Sequence, residues 1–303
     1  VGSEMCIRDR PVMQEAYRLA YIRKPEFMGN TRTEEKDPKF KVISDLPWSE
    51  QEINERLAAY RQLSDKVEQE WHALPAQKKE TYFQLVKYPV QAAAQMNNKL
   101  LTAQLARHGK ADWADSDRAY DSIVSLTKTY NTTKWNRMMD FQPRRLLVFN
   151  RVERKALSSG LLEKPQAVYT WNGADCVEGA SVICEGLGYE GKAVAVEKKK
   201  ELTFEFAAWE TDSVEVEVRL LPNHPVEGER LRFTISLDGS ATEAVSYETK
   251  GRSEEWKENV LCNQAVRRMV LPVARKASHR LIFTALDEGV VLDQIYLYMP
   301  RIK

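Results

Sequence analysis

The sequence predicts a molecule in two parts, an antiparallel helical bundle followed by an antiparallel β-sandwich of jelly-roll-like type. Three observations carry that prediction. In the first half apolar residues return every three or four positions, the period of one helix face. From Gln166 onward they return every second position, the period of a half-buried strand. Turn formers such as Gly173, the Pro222 to Pro225 stretch, Asp238-Gly239 and Gly251 then separate the alternating runs at short intervals, which suits an antiparallel sandwich rather than parallel βαβ units.

Taken in order, a first helix lies near Val12 to Ile22. The next begins at Ser49, because SEQE sets a hydroxyl acceptor three residues before Glu52 and Trp48 can staple the entry. Ile53, Leu57, Tyr60, Leu63, Val67, Trp71 and Leu74 form its apolar stripe, and Pro75 ends it. From Ala76 to about His108 a further stripe runs through Tyr82, Leu85, Met96, Leu100 and Ala103, with Pro89 expected to kink the helix and Gly109 to stop it. Ala119, Ile123, Leu126 and Tyr130 mark another helix, with Asp115 and Ser116 as cap candidates. Residues 140 to 165 lose all period and read as a linker or crossover. Beyond them VEVEVRL at 214 to 220, LRFTISL at 231 to 237, HRLIFTA at 279 to 285 and VVLDQIYLY at 290 to 298 read as strands. The expected division is therefore 11–142 helical bundle, 143–165 linker and 166–303 sandwich.

Residues 1–10, VGSEMCIRDR, resemble the translation of a transposon mosaic-end adapter joined in frame to a coding sequence. They are set aside, and the native N-terminus is expected to be missing, so export cannot be judged from the start of the chain.

The 303 residues carry 45 basic and 44 acidic side chains, a net charge of +1 that supplies no field to gather nucleic acid or an anionic membrane. No window reaches the ~20 apolar residues of a membrane-spanning helix. Cys176, Cys184 and Cys262 have neither metal-site nor framework spacing and read as buried structural thiols, with a Cys176–Cys184 bridge left open. Neither a metal nor an organic cofactor is expected.

Gly186, Gly188 and Gly191 spell GxGxxG, but KAVAVEKKKELTFEF follows and alternates like strands, so a glycine-rich sandwich loop is expected rather than a dinucleotide fold. Lys198, Lys199 and Lys200 suit a solvated hairpin turn, and Asn131-Thr132-Thr133 an exposed helix end. Glycosidases need two carboxylates whose spatial separation sequence does not reveal. Glu26, Asp140, Glu205, Asp238, Asp287 and Asp293 are nameable, each with surface or structural duty as its ordinary use. Trp171, Trp209 and Trp256 are candidates for stacking on sugar rings, although packing is the commoner fate of such residues.

Two stretches stand apart. YIRKPEFMGNTRTEE at 21 to 35 gathers Arg23, Lys24, Arg32 and three glutamates around a proline and a glycine, and basic groups in a rigid loop suit a uronic-acid carboxylate. KWNRMM at 134 to 139 sets an aromatic and an amide where the helical half ends. The substrate-lining candidates are Arg23, Lys24, Glu26, Trp135 and Asn136. A loop that packs on a missing domain explains the same residues equally well.

Through YIRKPEFMG, YFQLVKYPVQAAAQMNNK, AYDSIVSLTKTYN, KWNRMM, LRFTISLDG, WKENVLCN and HRLIFTALDEGVVLDQIYL, in order over nearly all of 11–303, the chain resembles glycoside hydrolase family 115. The resemblance implies a large, exported, periplasmic or secreted bacterial enzyme that removes α-1,2-linked glucuronic acid or its 4-O-methyl ether from xylan by inversion. It implies an N-terminal α/β domain, a catalytic (β/α)8 barrel, a helical bundle and a C-terminal β-sandwich, of which this chain corresponds to the last two. The acid and base of the family lie in the barrel, so no catalytic residue is expected here and the chain alone is expected to be inactive. The implied partners are glucuronoxylan or its oligosaccharides and the barrel of the same polypeptide, with a homodimer as an open alternative, in which case KWNRMM lies beside a neighbour's active site. The competing readings are a non-catalytic carbohydrate-binding sandwich and a purely structural buttress. The chain departs from the family pattern at Asn30, where an aromatic often follows MG, and at Arg137, where a glycine often follows KWN.

Overall fold

The computed structural model describes residues 3–32, 35–140, 146–155, 160–179, 182–240 and 243–300, with side chains from residue 9 onward. The chain divides into two compact units, Val1–Lys164 and Pro165–Lys303.

Among the described residues the first unit holds five α-helices, α1 (Ser3–Ile22), α2 (Glu50–Ala73), α3 (Ala76–Tyr82), α4 (Tyr88–Arg107) and α5 (Trp113–Asn131). α1 runs through positions 3–10, which the sequence reading set aside, and carries Pro11 inside it. α2 starts as its sequence predicts. Ser49 Oγ accepts from Glu52 N and Glu52 Oε2 accepts from Ser49 N, a complete capping box. Its stripe buries Ile53, Tyr60, Leu63 and Val67.

As expected, Pro89 does not end the helix. The chain forms a π-helical turn over Phe83–Lys87 that leads from α3 into α4, with Pro89 in the first turn of α4. A proline inside a continuous helix lacks the N–H for the preceding turn and crowds its carbonyl, and the wider π-turn just before it accommodates both. The inserted residue shifts the helical phase, so the expected stripe breaks at Leu85, which is 55% exposed, while Val86 is buried. α4 ends as predicted: Gly109 takes φ +70 and its N–H donates to Ala106 O, while Lys110 N donates to Leu105 O. α5 is capped by Asp112, whose carboxylate accepts from Ala114 N, and not by Asp115 or Ser116, which lie inside the helix.

From Met96 to Arg107 nearly every residue of α4 is buried, polar ones included. Each buried polar group is matched, as an interior of low dielectric requires. Asn97 accepts from Arg56 Nε at 2.7 Å, and Gln104 pairs with both N–H and C=O of Leu46 at 3.0 and 2.9 Å. Arg107 and His108 share the Asp45 carboxylate. Lys99 donates to Val148 O at 2.5 Å and Asn150 O at 2.9 Å. The stretch expected as a linker is therefore partly structural: Leu147–Phe149 form a 3-10 turn, and Val148 and Val152 enter the same core as Leu100 and Leu101.

The second unit is a sandwich of two antiparallel sheets. Its strands are β1 (Tyr169–Asn172), β2 (Val182–Ile183), β3 (Val194–Val196), β4 (Glu201–Ala207), β5 (Ser213–Leu220), β6 (Arg232–Leu237), β7 (Val245–Ser246), β8 (Ala265–Pro272), β9 (Ser278–Ala285) and β10 (Val290–Tyr298). The six-stranded sheet runs β2-β3-β10-β5-β8 with β1 also on β10, and the four-stranded sheet runs β4-β9-β6-β7. Alternation supplies the core: Leu202, Phe204, Phe206, Phe233, Ile235, Leu281 and Phe283 from one sheet meet Val214, Val216, Val218, Leu220, Leu292 and Ile295 from the other. The alternation slips once. Leu292 and Ile295 both face inward although three apart, and a β-bulge at Asp293 absorbs the extra residue.

The Lys198 to Lys200 turn is exposed, with Lys199 at φ +66, but it joins β3 of one sheet to β4 of the other and is not a hairpin. One helix, α6 (Glu254–Cys262), interrupts the strand half where none was expected; Ser253 caps it by accepting from Trp256 N. Cys176, Cys184 and Cys262 are half-buried and form no disulfide with one another.

Candidate functional site

In the helical unit the loop after α1 is built around Arg23, which is only 2% exposed. Its Nε donates to Phe27 O at 3.0 Å and its Nη2 to Asn30 Oδ1 at 3.3 Å, while its own carbonyl accepts from Arg56 Nη2 at 2.8 Å. Asn30 holds φ +54, tolerable for asparagine, and reaches on to Ser44 Oγ. Arg23 thus ties the loop together. Lys24 and Glu26, at the 3-10 turn Pro25–Phe27, point to solvent. Arg32 is 9% exposed, its guanidinium 4.2 Å over the Phe40 ring.

KWNRMM follows α5 as a pinned loop. The Asn131 amide donates to Met139 O and accepts from Met139 N, so this asparagine is committed to the backbone rather than being a bare helix end. Trp135 is half-buried with the Lys134 ammonium 5.4 Å from its ring, and Asn136 is exposed. Arg137 stands at φ +60, the left-handed region that glycine enters without cost.

A cleft of about 210 Å³ is lined by Pro25 of the first stretch and by Asp140, the residue after the second, together with Pro89, Ala93 and Met96 among others. Of the five substrate-lining candidates, none lines it; their neighbours Pro25 and Asp140 do.

In the sandwich the named carboxylates are largely committed. Asp287 takes Arg232 through two hydrogen bonds of 2.8 and 2.9 Å, which hold its carboxyl below the usual range. Asp238 accepts from Arg280 N and pairs with buried His279 Nδ1 at 2.8 Å. Burial raises the Asp238 pKa, but His279, that backbone donor and Lys276 bring it below normal. Glu205 is exposed, 3.4 Å from Arg280. Asp293, on the bulge, is fully buried and accepts from Gln264 Nε2 at 2.7 Å and Tyr189 N at 3.0 Å; burial dominates and raises its pKa. A Cβ on Gly188 would stand 2.3 Å from Asp293 Oδ1, so the glycine loop exists to let the backbone approach that carboxylate. Among the described residues no group of three or more His, Cys, Asp or Glu is placed to hold a metal, and no helix is long and apolar enough to cross a membrane.

The tryptophans divide. Trp209 is 7% exposed inside the core, its Nε1 donating to Thr211 Oγ1 and Ser213 O, and Trp171 stacks on Tyr169 and packs against the same core. Trp256 on α6 is half-buried.

Sequence reasoning missed the most organised polar cluster of the sandwich. On the outer face of the six-stranded sheet Tyr296, Glu217 and Arg268 lie opposite one another across β10, β5 and β8. Arg219 Nε donates to Glu217 Oε1 at 2.7 Å and Arg268 Nε and Nη2 to Oε2 at 2.6 Å. Arg219 lies 3.8 Å over the Tyr296 ring, Tyr296 OH donates to Gln294 Oε1, and Gln294 Nε2 donates to Asn172 Oδ1. Glu217 is 2% exposed; burial pushes its pKa up, but Arg219 and Arg268 overcome that and leave it lowered. Burial raises the Tyr296 hydroxyl to about 12.

Residues 180–303 match the glycosyl hydrolase family 115 C-terminal domain. A solved family 115 4-O-methyl-α-glucuronidase with specificity for decorated arabinogalactans is 60% identical over 99% of this chain with a TM-score of 0.95, and the chain spans 40% of that enzyme's length. A family 35 carbohydrate-binding module from an environmental isolate (10% identity, 44% of this chain, 93% of the module, TM-score 0.35) is only remotely similar. So is an exo-β-1,3-galactanase from Phanerochaete chrysosporium (16% identity, 43% of this chain, 29% of that enzyme, TM-score 0.32). No curated protein matches. With 60% identity running through both units, the chain belongs to glycoside hydrolase family 115.

Proposed function

We propose that this chain is the C-terminal accessory part of an exported, inverting α-1,2-glucuronidase that removes glucuronic acid or its 4-O-methyl ether from xylan or a similarly decorated polysaccharide. The observation that carries the reading is 60% identity across both units to a 4-O-methyl-α-glucuronidase. That relative is described as acting on decorated arabinogalactans, so the glucuronate substituent is the constant and the polysaccharide backbone the variable. Lys24, Glu26, Trp135 and Asn136 remain the proposed substrate-side residues of the helical unit, with Arg23 positioning the loop that bears the first two. A second copy joined through the helical unit would bring the Trp135 loop toward a neighbour.

The test compares the polypeptide of the intact gene with the 303-residue chain on glucuronoxylan and on glucuronate-decorated arabinogalactan. Release of uronic acid as the β-anomer by the former, and none by the latter, is the expected result. No release by the intact polypeptide from either substrate overturns the reading, and so does release by the chain alone. A second reading, a carbohydrate-binding sandwich, draws its support from the tyrosine and arginine face of the six-stranded sheet and not from Trp209.

A further inference from the structure

The outer face of a sandwich sheet is ordinarily a scatter of independent polar side chains in water. On this one two adjacent rows of side chains are tied together and a third lies beside them. Gln294 lies opposite Arg219, Tyr296 opposite Glu217 and Tyr298 opposite Glu215 along β10 and β5; β8 extends the rows with Val266, Arg268 and Val270. A carboxylate shut from water between two guanidinium groups gains little stability, because desolvation offsets most of the Coulombic attraction. What such a carboxylate does supply is aim. Glu217 fixes Arg219 through Nε and Arg268 through Nε and Nη2. The Arg268 side chain is still 61% exposed, leaving the remaining N–H groups of its fork toward solvent. Tyr298 stands in the next row, edge-on to Tyr296 at 6.2 Å.

We propose that this face is a docking site for a uronic-acid residue of an oligosaccharide, its carboxylate taken by the exposed fork of Arg268 and its ring laid against Tyr298. The proposal rests on the reading of the chain as part of a glucuronate-directed enzyme and gives that reading a place on the sandwich for the acidic sugar. Charge complementarity selects the occupant. Two guanidinium groups share one saturated carboxylate, so the Arg219–Glu217–Arg268 cluster keeps one positive charge in excess. Asp293 is fully buried and spent on Gln264 and Tyr189. Glu215, one row along β5 beside Tyr298, faces the same way and opposes an anion, which confines the carboxylate to the Arg268 side.

The experiment is calorimetric titration of the 303-residue chain with 4-O-methylglucuronosyl xylotriose and with plain xylotriose. Saturable binding of the acidic sugar, at least about tenfold tighter than the neutral one and weakened by salt, is expected. Arg268→Gln should lose about tenfold for the acidic sugar alone, whereas Glu215→Gln should tighten it. Both positions lie on the sheet surface, and an unchanged Tm establishes that the variants fold. Equal affinity for the two sugars, no saturation, or an Arg268→Gln variant that binds like the parent overturns the site. Failure here with uronic acid still released by the intact polypeptide removes this site alone. Binding here without any release by the intact polypeptide removes the proposed function instead.

Discussion

Lys99 in the helical unit and Glu217 in the sandwich are both closed to water, at 0% and 2% exposure, yet they are held in opposite ways. Glu217 lies between two counter-ions. Among the described residues Lys99 is bonded only to backbone carbonyls, Val148 O and Asn150 O, with the Tyr120 ring 5.8 Å away. The consequence is opposite pKa behaviour: burial draws the Lys99 ammonium down to about 7, whereas the arginines keep Glu217 ionised despite burial. A buried charge with partners tunes a surface. A buried charge without a counter-ion clamps a segment and makes the clamp sensitive to pH.

The largest expected effect comes from Lys99→Ala. It empties the space of a buried stem and leaves without their donor the carbonyls of Val148, in the Leu147–Phe149 turn, and of Asn150, just after it. Relief of ammonium desolvation offsets part of this, so a loss of about 3 kcal/mol is expected. Linkage sets the accompanying pH dependence. The folded pKa of Lys99 is below its unfolded value near 10.5, so the unfolded chain binds more protons between pH 7 and 10.5 and stability rises with pH across that window. Denaturant unfolding at pH 7.0 and 9.5, compared between parent and Lys99→Met, checks it. A rise in the parent that survives in the variant removes Lys99 as its source.

Glu217→Ala should cost less, about 2 kcal/mol, because only one of its partners is deeply enclosed and the 61% exposed Arg268 can turn to water. Its pH signature is reversed. A carboxyl with a lowered folded pKa adds stability above its unfolded value near 4.5 and loses it as acid protonates the folded form. Unfolding at pH 6 and pH 3.5 should therefore differ less in Glu217→Ala than in the parent. An equal acid loss in both would show that the pair adds nothing to the acid response.

How far these features were legible depends on whether their cause is local. The capping box at Ser49, the stop at Gly109 and the alternation of β5, β6 and β9 are set by residues within a few positions, and the sequence displays them. The π-turn was half legible: Pro89 announces a distortion, but the phase shift that exposes Leu85 depends on how Phe83–Lys87 accommodate it. The bulge left a trace in the three-residue step from Leu292 to Ile295. The burial of Glu217 and Lys99 left none. VEVEVRL looks like any solvent-facing strand, and only the register with β10 and β8 brings Arg268, 51 positions away, onto that carboxylate. Trp209 looked like a stacking platform for the same reason in reverse, since its enclosure comes from the opposite sheet. The candidate loop fared likewise: its charges were visible, but not which of them, Arg23, would turn inward to hold the rest.

The smallest effect sharpens the comparison most directly, because Arg151 tethers the segment that Lys99 clamps, but from outside. Its guanidinium reaches Asp117 at 2.8 Å and Asp121 at 2.6 Å and lies 4.5 Å over Tyr120, yet its side chain is 45% exposed. Exposed pairs of this kind contribute about 0.5 kcal/mol, which salt screens. Arg151→Ala should therefore lower stability by about that much in dilute buffer and by less in 1 M sodium chloride, while the deficit of Lys99→Ala stays the same at both ionic strengths. If salt leaves the Arg151→Ala deficit untouched, the residue acts by packing on Tyr120 rather than by charge. The contrast between an inner clamp set by desolvation and an outer tether set by Coulombic attraction then fails for this segment.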